Sequence, residues 1–164
     1  MVSWCLKLLR SQGDSTFLPL TLMRIAFGLF FFSSGFNKVF VLENQRVMLE
    51  TIIETGIPFP AFMSVFVASC ETIFGLLLAF GLLTRISGVI LLVINIVALL
   101  TVGLNHIPNG INFLTWYSWL LYLPESSYIL MCVMIIVQGC GPFGLDRLIA
   151  KLIIDRHNAG SIRE

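Results

Sequence analysis

The sequence predicts an all-α protein, an integral membrane four-helix bundle with amphipathic surface helices. The 164-residue chain is 57% hydrophobic and only 12% charged, whereas soluble domains carry about 25% charged residues. It contains four apolar stretches close to the roughly 20 residues that a helix needs to cross a bilayer. Most of its lysines and arginines lie outside these stretches. We therefore expect residues 1–164 to form a single membrane domain surrounded by lipid.

The predicted spans are residues 18–42, 61–83, 86–104 and 126–143. The fourth is short, but apolar residues before and after it extend its reach. Segment 111–123 is too short to cross a bilayer and is rich in Trp and Tyr, which favour the headgroup level. It is interpreted as an interfacial helix or loop. The alternative is a re-entrant lid or wall over a lipophilic ligand.

Basic residues indicate the orientation, because cytoplasmic loops and ends carry an excess of Lys and Arg. Lys7 and Arg10 precede the first span, and Arg85 lies between the second and third. Four more basic residues follow the last span: Arg147, Lys151, Arg156 and Arg163. Both termini are therefore predicted to be cytoplasmic, which agrees with an even number of spans.

Two segments outside the spans have the pattern of amphipathic helices. Between the first two spans, Glu43, Arg46 and Glu50 have helical spacing beside an apolar face, and Gly56 then ends the helix. This segment is predicted to cap the bundle from outside the bilayer. The tail 145–156 combines apolar and basic faces and is predicted to lie on the inner leaflet.

The cysteines and histidines limit the chemistry of the chain. None of the four cysteines forms a C-x-x-C pair, and the two histidines are far apart in the sequence. This argues against dithiol exchange by the chain itself and against a dedicated metal site. The net charge of +1 indicates no nucleic-acid partner.

Two stripes of small and charged residues predict that the first two spans pack together. At about 100° per residue, one face of the first span carries Arg24, Gly28, Phe31, Gly35 and Lys38. In the second span, one face carries Ser64, Ala68, Glu71 and Gly75. Small residues allow membrane helices to approach closely.

Glu71 lies near the centre of its span, where a charge costs roughly 2.5–3.5 kcal/mol on insertion scales. A cation from the first span would neutralise it, and Arg24 and Lys38 are about 21 Å apart along that helix. Arg24 is the preferred partner because its planar guanidinium binds both carboxylate oxygens. Lys38 and Asn37 would then face the outer mouth. The pair would act either as a structural pin that fixes helix register or as a proton or ligand site, and Asn95 and Gln138 would extend the polar interior.

These residues resemble the pattern of the DoxX family of four-span membrane proteins. The first block is R-x3-G-x6-G-x2-K, at Arg24, Gly28, Gly35 and Lys38. The second is E-x3-G-x5-G-x3-R, from Glu71 to Arg85. The third is the closing "GCGPFGLDRLI", a glycine-rich turn followed by Leu145 and Asp146. Gly144 stands where the family often has Ser, a departure that weakens no chemical claim.

The resemblance implies a four-helix bundle in a bacterial inner membrane. Family members are associated with quinol oxidase or thiosulfate:quinone oxidoreductase complexes, with oxidative-stress complexes, with aromatic-compound metabolism and with metal-linked peptide systems. Eukaryotic relatives include cargo receptors and receptor-assembly chaperones. The resemblance transfers no catalytic residue to this chain.

The favoured hypothesis is an oxidoreductase-associated accessory subunit, rather than a standalone enzyme, that binds a quinone or another lipophilic small molecule between its helices. Electrons would come from a membrane or soluble redox protein, and a homo-oligomer is a further expected association. Glu71 is the candidate proton site. The candidate ligand-binding residues are Arg24, Lys38, Glu71, Asn37, Phe31, Asn95 and Trp116.

Two other functions use the same features. As a non-enzymatic membrane scaffold or assembly factor for a partner complex, the chain would dock through its surface helices, and the Glu71 pair would be structural. As a small transporter component, it would use the polar interior, although broken helices and inverted repeats are not evident in the sequence.

Overall fold

The computed structural model describes residues 17–140 and 144–146, and the regular elements in these residues are all helical. The predicted all-α fold class is therefore confirmed. A 3-10 turn at Gly103–His106 follows the fourth helix. Of the predicted tail helix 145–156, only Leu145 and Asp146 are among the described residues. The helices are α1 Phe17–Phe40, α2 Leu42–Glu54, α3 Pro60–Phe80, α4 Thr84–Thr101, α5 Phe113–Tyr122 and α6 Pro124–Gln138.

Three of these helices, α1, α3 and α4, are long and apolar enough to cross a bilayer. The chain is therefore a multi-pass membrane protein. The predicted fourth span differs from its expected form, because α6 has only 15 residues and α5 meets it at an angle of 70°. The two would complete a fourth crossing only as one bent pair.

Pro124 explains the bend between α5 and α6. Proline has no backbone N–H and disfavours helical geometry in the residue before it. Leu123 accordingly has extended backbone angles, and α6 begins with Pro124 in its first turn. Segment 111–123, predicted as an interfacial helix or loop, forms the short helix α5, whose N-terminus is capped by the Asn112 side chain.

Helices α1 and α3 pack directly along their glycines, as the two stripes predict. A Cβ added to Gly28 would lie 2.5 Å from the backbone nitrogen of Ala79, and one added to Gly75 would lie 2.5 Å from that of Phe32. The two backbones touch because neither glycine carries a side chain. At this contact Ser64, Ala68, Glu71 and Gly75 form the buried face of α3.

Helix α4 packs against α6. The core lies between four helices, α1, α3, α4 and α6. A cluster of buried apolar residues in this core contains Phe27, Phe31, Leu78, Leu91, Cys132 and Ile135. Large apolar side chains remain exposed on the outer faces of α1, α3, α4 and α6. These faces suit contact with lipid acyl chains.

Helix α2 forms the predicted surface helix at one end of the bundle. It packs against α1 and α3 and buries Ile52, while its charged residues Glu43, Arg46 and Glu50 are exposed. It ends before Gly56, whose φ of +70° is a conformation that glycine adopts without strain.

Candidate functional site

Glu71 is paired with Lys38. The Lys38 ammonium donates a hydrogen bond from Nζ to Oε2 of Glu71 at 2.7 Å. The Glu71 side chain is 7% exposed and that of Lys38 is 29% exposed. Among residues 17–140 and 144–146, this is the one ion pair between side chains. The expectation that Arg24 pairs with Glu71 is therefore wrong.

The glycine contacts explain this choice of partner. Gly35 packs against the backbone of Ala68 and Thr72, so that Lys38, nearly one turn further along α1, comes beside Glu71. Gly28 packs against Gly75 and Ala79, which places the other end of α1 well beyond Glu71. The antiparallel alignment therefore separates Arg24 from the carboxylate.

The Lys38–Glu71 pair lies at one end of a cavity of about 400 Å³. Side chains from α1, α2, α3 and α4 line this cavity, and its walls are almost entirely apolar. From Met63 to Glu71 the wall formed by α3 rises eight residues, a length of about 12 Å. We call this space the Lys38–Glu71 cavity.

Part of the cavity wall is formed by residues on the outer surface of the bundle. Three of its lining residues, Phe66 on α3 and Val93 and Val97 on α4, are 51%, 54% and 44% exposed. These residues lie on the outer faces of their helices, where acyl chains would contact them. The cavity therefore borders the outer, apolar surface of the bundle.

The end of the cavity away from Glu71 contains three threonines. Thr51 lies in α2, Thr55 directly follows α2, and Thr101 is the last residue of α4. Each hydroxyl donates a hydrogen bond to a carbonyl of its own helix, to Val47, Ile52 and Val97 respectively. The cavity thus has a charged end, an apolar middle and a hydroxyl end.

The other candidate ligand-binding residues do not line this cavity. Phe31 is buried in the core, with its ring 4.9 Å from that of Phe27. Asn95 is also buried, and its amide donates to the carbonyl of Leu91 one turn earlier in α4. Asn37 is exposed. Trp116, on α5, is 38% exposed and lines a separate shallow depression with residues of the preceding loop.

Arg24 occupies the opposite end of the bundle. It is 3% exposed, and its Nη1 donates to the carbonyl of Leu78 at 3.3 Å. Its Nε is buried without a hydrogen-bond partner among the described residues. The guanidinium lies over Gly81, where a Cβ would collide with it. Arg24 therefore packs at the α3–α4 turn rather than at the cavity.

Asp146, which follows α6 in the sequence, forms hydrogen bonds to the same turn. Its carboxylate accepts hydrogen bonds from the backbone N–H of Leu83 and Thr84 and from the Thr84 hydroxyl, at 2.8–3.0 Å. Its own N–H donates to the carbonyl of Gly81 at 3.0 Å. Asp146 is thus the N-terminal cap of α4, although 62 residues separate it from Thr84.

The surroundings of Asp146 stabilise its charged form. Burial raises the pKa of this carboxyl, but hydrogen bonds from Thr84 and Leu83 and the nearby positive charge of Arg24 outweigh it, so the pKa lies below the ordinary value of 3.8. Hydrogen bonds to a carboxylate favour ionisation in this way. Leu83, with φ of +47°, is held in a conformation that a leucine rarely adopts.

Sequence reasoning did not find the walls of the cavity or the capping role of Asp146. The side chains that α2 and α4 contribute to the cavity have ordinary apolar or threonine identities, which carry no functional signal. Leu145 and Asp146 stand out only as part of the DoxX-like pattern. A cap usually precedes its helix directly, so no local pattern connects Asp146 with Thr84.

Comparison with known proteins supplies two matches. The DoxX family model matches residues 19–104, which include most of α1 and all of α2 to α4. A protein of Haemophilus influenzae described as uncharacterized is 30% identical over 151 residues, which cover 87% of this chain and 91% of that protein. No solved structure matches the chain.

Proposed function

This chain belongs to the DoxX family of membrane proteins, and from that premise we propose that it binds a quinone or another lipophilic small molecule as an accessory subunit of a redox complex. The family is associated with membrane redox and quinone-linked functions. The Lys38–Glu71 cavity is the binding site in this proposal. Of the candidate residues predicted from the sequence, the proposed site contains Lys38 and Glu71. It also contains the threonines and the apolar side chains that line the cavity.

One observation carries the proposal: an apolar cavity of about 400 Å³ holds an ion pair at its inner end. Small-molecule sites typically enclose about 300–1,000 Å³ and combine apolar walls with a few polar groups that orient the ligand. An ion pair that only fixes the register of two helices needs no free volume beside it. The free volume next to the pair therefore supports ligand binding over a purely structural role.

Each charged group has a chemical task in this proposal. The Lys38 ammonium has three N–H donors, of which Glu71 uses one, so that a ligand oxygen can accept from the others. Glu71 can take up or release a proton beside that oxygen. Quinone reduction and quinol oxidation both transfer protons together with electrons, and a carboxylate in contact with the headgroup serves that transfer.

Electrons come from a partner in this proposal, because the sequence contains neither a C-x-x-C pair nor a flavin fingerprint. The partner is a redox protein of the membrane or of the adjacent aqueous phase. The family resemblance supports an inner-membrane location for this complex, and the basic residues that flank the spans support cytoplasmic termini for this chain.

Filling the cavity tests the proposal. Ala98 lines the cavity on α4, and Ala98→Phe would occupy the space without removing a charge. In lipid nanodiscs, we expect Ala98→Phe to weaken the binding of decylubiquinone by about tenfold or more, a loss of about 1.4 kcal/mol. Binding is measured by equilibrium dialysis and quantification of the quinone.

Val89→Phe is the matched control, because Val89 lies on the same helix, is 46% exposed and lines none of the described cavities. We expect this variant to bind as the unmodified protein does. If both variants bind the quinone equally well, the ligand does not occupy the Lys38–Glu71 cavity. If the unmodified protein binds no quinone and instead purifies with a stable protein partner, the scaffold function is favoured.

A further inference from the structure

We propose that the Lys38–Glu71 cavity selects the reduced form of its ligand, binding a hydroquinone more tightly than the corresponding quinone. This inference rests on the proposed function and adds the redox state that the site favours. It follows from the hydrogen-bonding groups of the cavity, which are mostly acceptors.

Lys38 is the main hydrogen-bond donor available to a ligand. Among the described side chains that line the cavity, only Lys38 and the three threonines carry N–H or O–H groups. The Lys38 ammonium retains donors after its bond to Oε2 of Glu71. These free donors of Lys38 lie at the charged end of the cavity.

The threonines act as acceptors toward a ligand. Each hydroxyl already donates its only hydrogen to a helix carbonyl, at 2.8 Å for Thr51, 3.0 Å for Thr55 and 2.8 Å for Thr101. A hydroxyl that donates in this way keeps two lone pairs for accepting. Redirecting the hydrogen toward a ligand would break the existing bond to the helix carbonyl.

Glu71 adds a second group of acceptors at the charged end. Its Oε2 accepts from Lys38, and the described residues provide no hydrogen-bond donor to its Oε1. An ionised carboxylate only accepts hydrogen bonds. The cavity therefore offers acceptors at both ends but free donors at one end.

A hydroquinone matches this arrangement better than a quinone does. One hydroquinone hydroxyl can donate to Glu71, and the other is directed toward the threonine end, which accepts. A quinone has two carbonyl acceptors and no donor, so only the carbonyl near Lys38 finds a partner. The carbonyl at the threonine end would face other acceptors, and it could gain a hydrogen bond from a threonine only if an existing bond to a helix carbonyl were broken.

The preference for one form changes the redox equilibrium of the bound ligand. A site that binds the reduced form more tightly raises the midpoint potential of the bound couple. For a two-electron couple, a tenfold difference in affinity corresponds to about 30 mV. The bound quinone is then a better electron acceptor than the same quinone free in the bilayer.

The test compares the two forms of one ligand in the unmodified protein. Decylubiquinone and chemically reduced decylubiquinol are dialysed against nanodiscs that contain the full chain, and the experiment with the quinol is performed without oxygen. We expect the quinol to bind about tenfold more tightly. Empty nanodiscs measure the partition of each form into lipid alone.

Two variants locate the source of the preference. Thr51→Val with Thr101→Val removes two acceptors while nearly preserving shape, and we expect the preference to fall to about threefold or less. Thr72→Val is the matched control, because Thr72 makes the same type of bond, to the Ala68 carbonyl, but does not line the cavity. This control should keep the full preference. Melting temperatures of all variants verify that the fold is retained.

The outcomes separate the two proposals. Equal affinity for quinol and quinone overturns the inference and leaves the proposed function standing. A preference that persists unchanged in the Thr51→Val and Thr101→Val double variant also overturns it, because the threonines would then not be its source. Failure of both forms to bind overturns the proposed function and the inference together.

Discussion

The two cations of α1 have different partners and different tasks. Lys38 neutralises Glu71, while Arg24 is buried at the α3–α4 turn beside the Leu78 carbonyl. A lysine at the edge of the bundle can satisfy the buried carboxylate because its flexible four-carbon stem lets the ammonium reach inward. The guanidinium of Arg24 instead lies over Gly81 and donates to the carbonyl of Leu78 at the turn.

Asp146 provides a prediction for a single residue. Asp146→Asn keeps the shape of the side chain but removes its charge and one acceptor from the start of α4. We expect a loss of stability of about 1 kcal/mol at about pH 7, because hydrogen bonds to an ionised carboxylate are stronger than those to a neutral amide oxygen. The measurement is the difference in unfolding free energy between the two proteins in mild detergent.

The effect should disappear in acid. Because the pKa of Asp146 is lower in the folded state than its ordinary value of 3.8, its charge stabilises the fold above that value. This contribution is lost as the pH falls below 3.8 toward the folded pKa. Other carboxyls titrate equally in both proteins, so the difference between them reports Asp146. A difference that is unchanged at about pH 3 would contradict the capping role.

Helices α1 and α3 approach closely only because glycines stand at their contact. Gly28, Gly35 and Gly75 each place a hypothetical Cβ within 3 Å of backbone atoms of the other helix. Backbone atoms cannot move aside as the end of a side chain can. The close contact fixes the axial alignment of the two helices, and that alignment brings Lys38 to Glu71.

Gly75→Ala should therefore destabilise the α1–α3 pair. We expect a loss of about 1–3 kcal/mol, as for overpacked cores, measured by thermal or detergent-induced unfolding. Gly88→Ala is the comparison, because its Cβ would meet the side chain of Ile136 at 2.9 Å rather than backbone. Both changes bring the same gain in helix propensity. Equal losses in the two variants would show that the close backbone contact is not limiting.

Within residues 17–140 and 144–146, the structure contains three long spans and one bent helix pair. If α5 and α6 together form a fourth crossing, the two chain ends lie on the same side of the membrane. If they do not cross, the ends lie on opposite sides. The arrangement of the bent pair therefore decides on which side of the membrane the last described residues lie relative to the first.

Single-cysteine labelling in cells tests this arrangement. In a background without the native cysteines, we expect a membrane-impermeant maleimide added outside to label Arg46→Cys on α2 and Asn109→Cys before α5. Arg163→Cys should react only after the membrane is permeabilised, because four crossings place the tail in the cytoplasm. Labelling of position 163 from outside would contradict a fourth crossing.

Much of the fold can be predicted from the order of the residues. Apolar length predicts the long spans, Gly56 predicts the end of α2, and the spacing of small residues predicts which faces of α1 and α3 meet. The fourth span was predicted less well, because apolar content extends through the region while Pro124 interrupts the helix. Hydropathy measures affinity for lipid, and it does not measure whether the backbone can continue straight.

The candidate site was predicted only in part. Glu71 and Lys38 are recognisable because charges are rare in an apolar span. Phe31 and Asn95 share that location in the bilayer but face the core, and nothing in their local sequence separates the core side from the cavity side. Thr51, Val97 and Thr101 were missed because their residue types are ordinary at helix positions of this kind.

The sequence by itself determined that the chain enters a membrane, where its long helices lie and which helix faces carry small or charged residues. Only the tertiary structure decided which cation pairs with Glu71, that a cavity lies beside this pair, and that Asp146 caps α4. Hydropathy and periodicity depend on the residues of a single helix, and they can therefore be recognised from the sequence. Axial alignment and enclosed space arise from contacts between distant segments, here the backbone contacts at Gly28, Gly35 and Gly75.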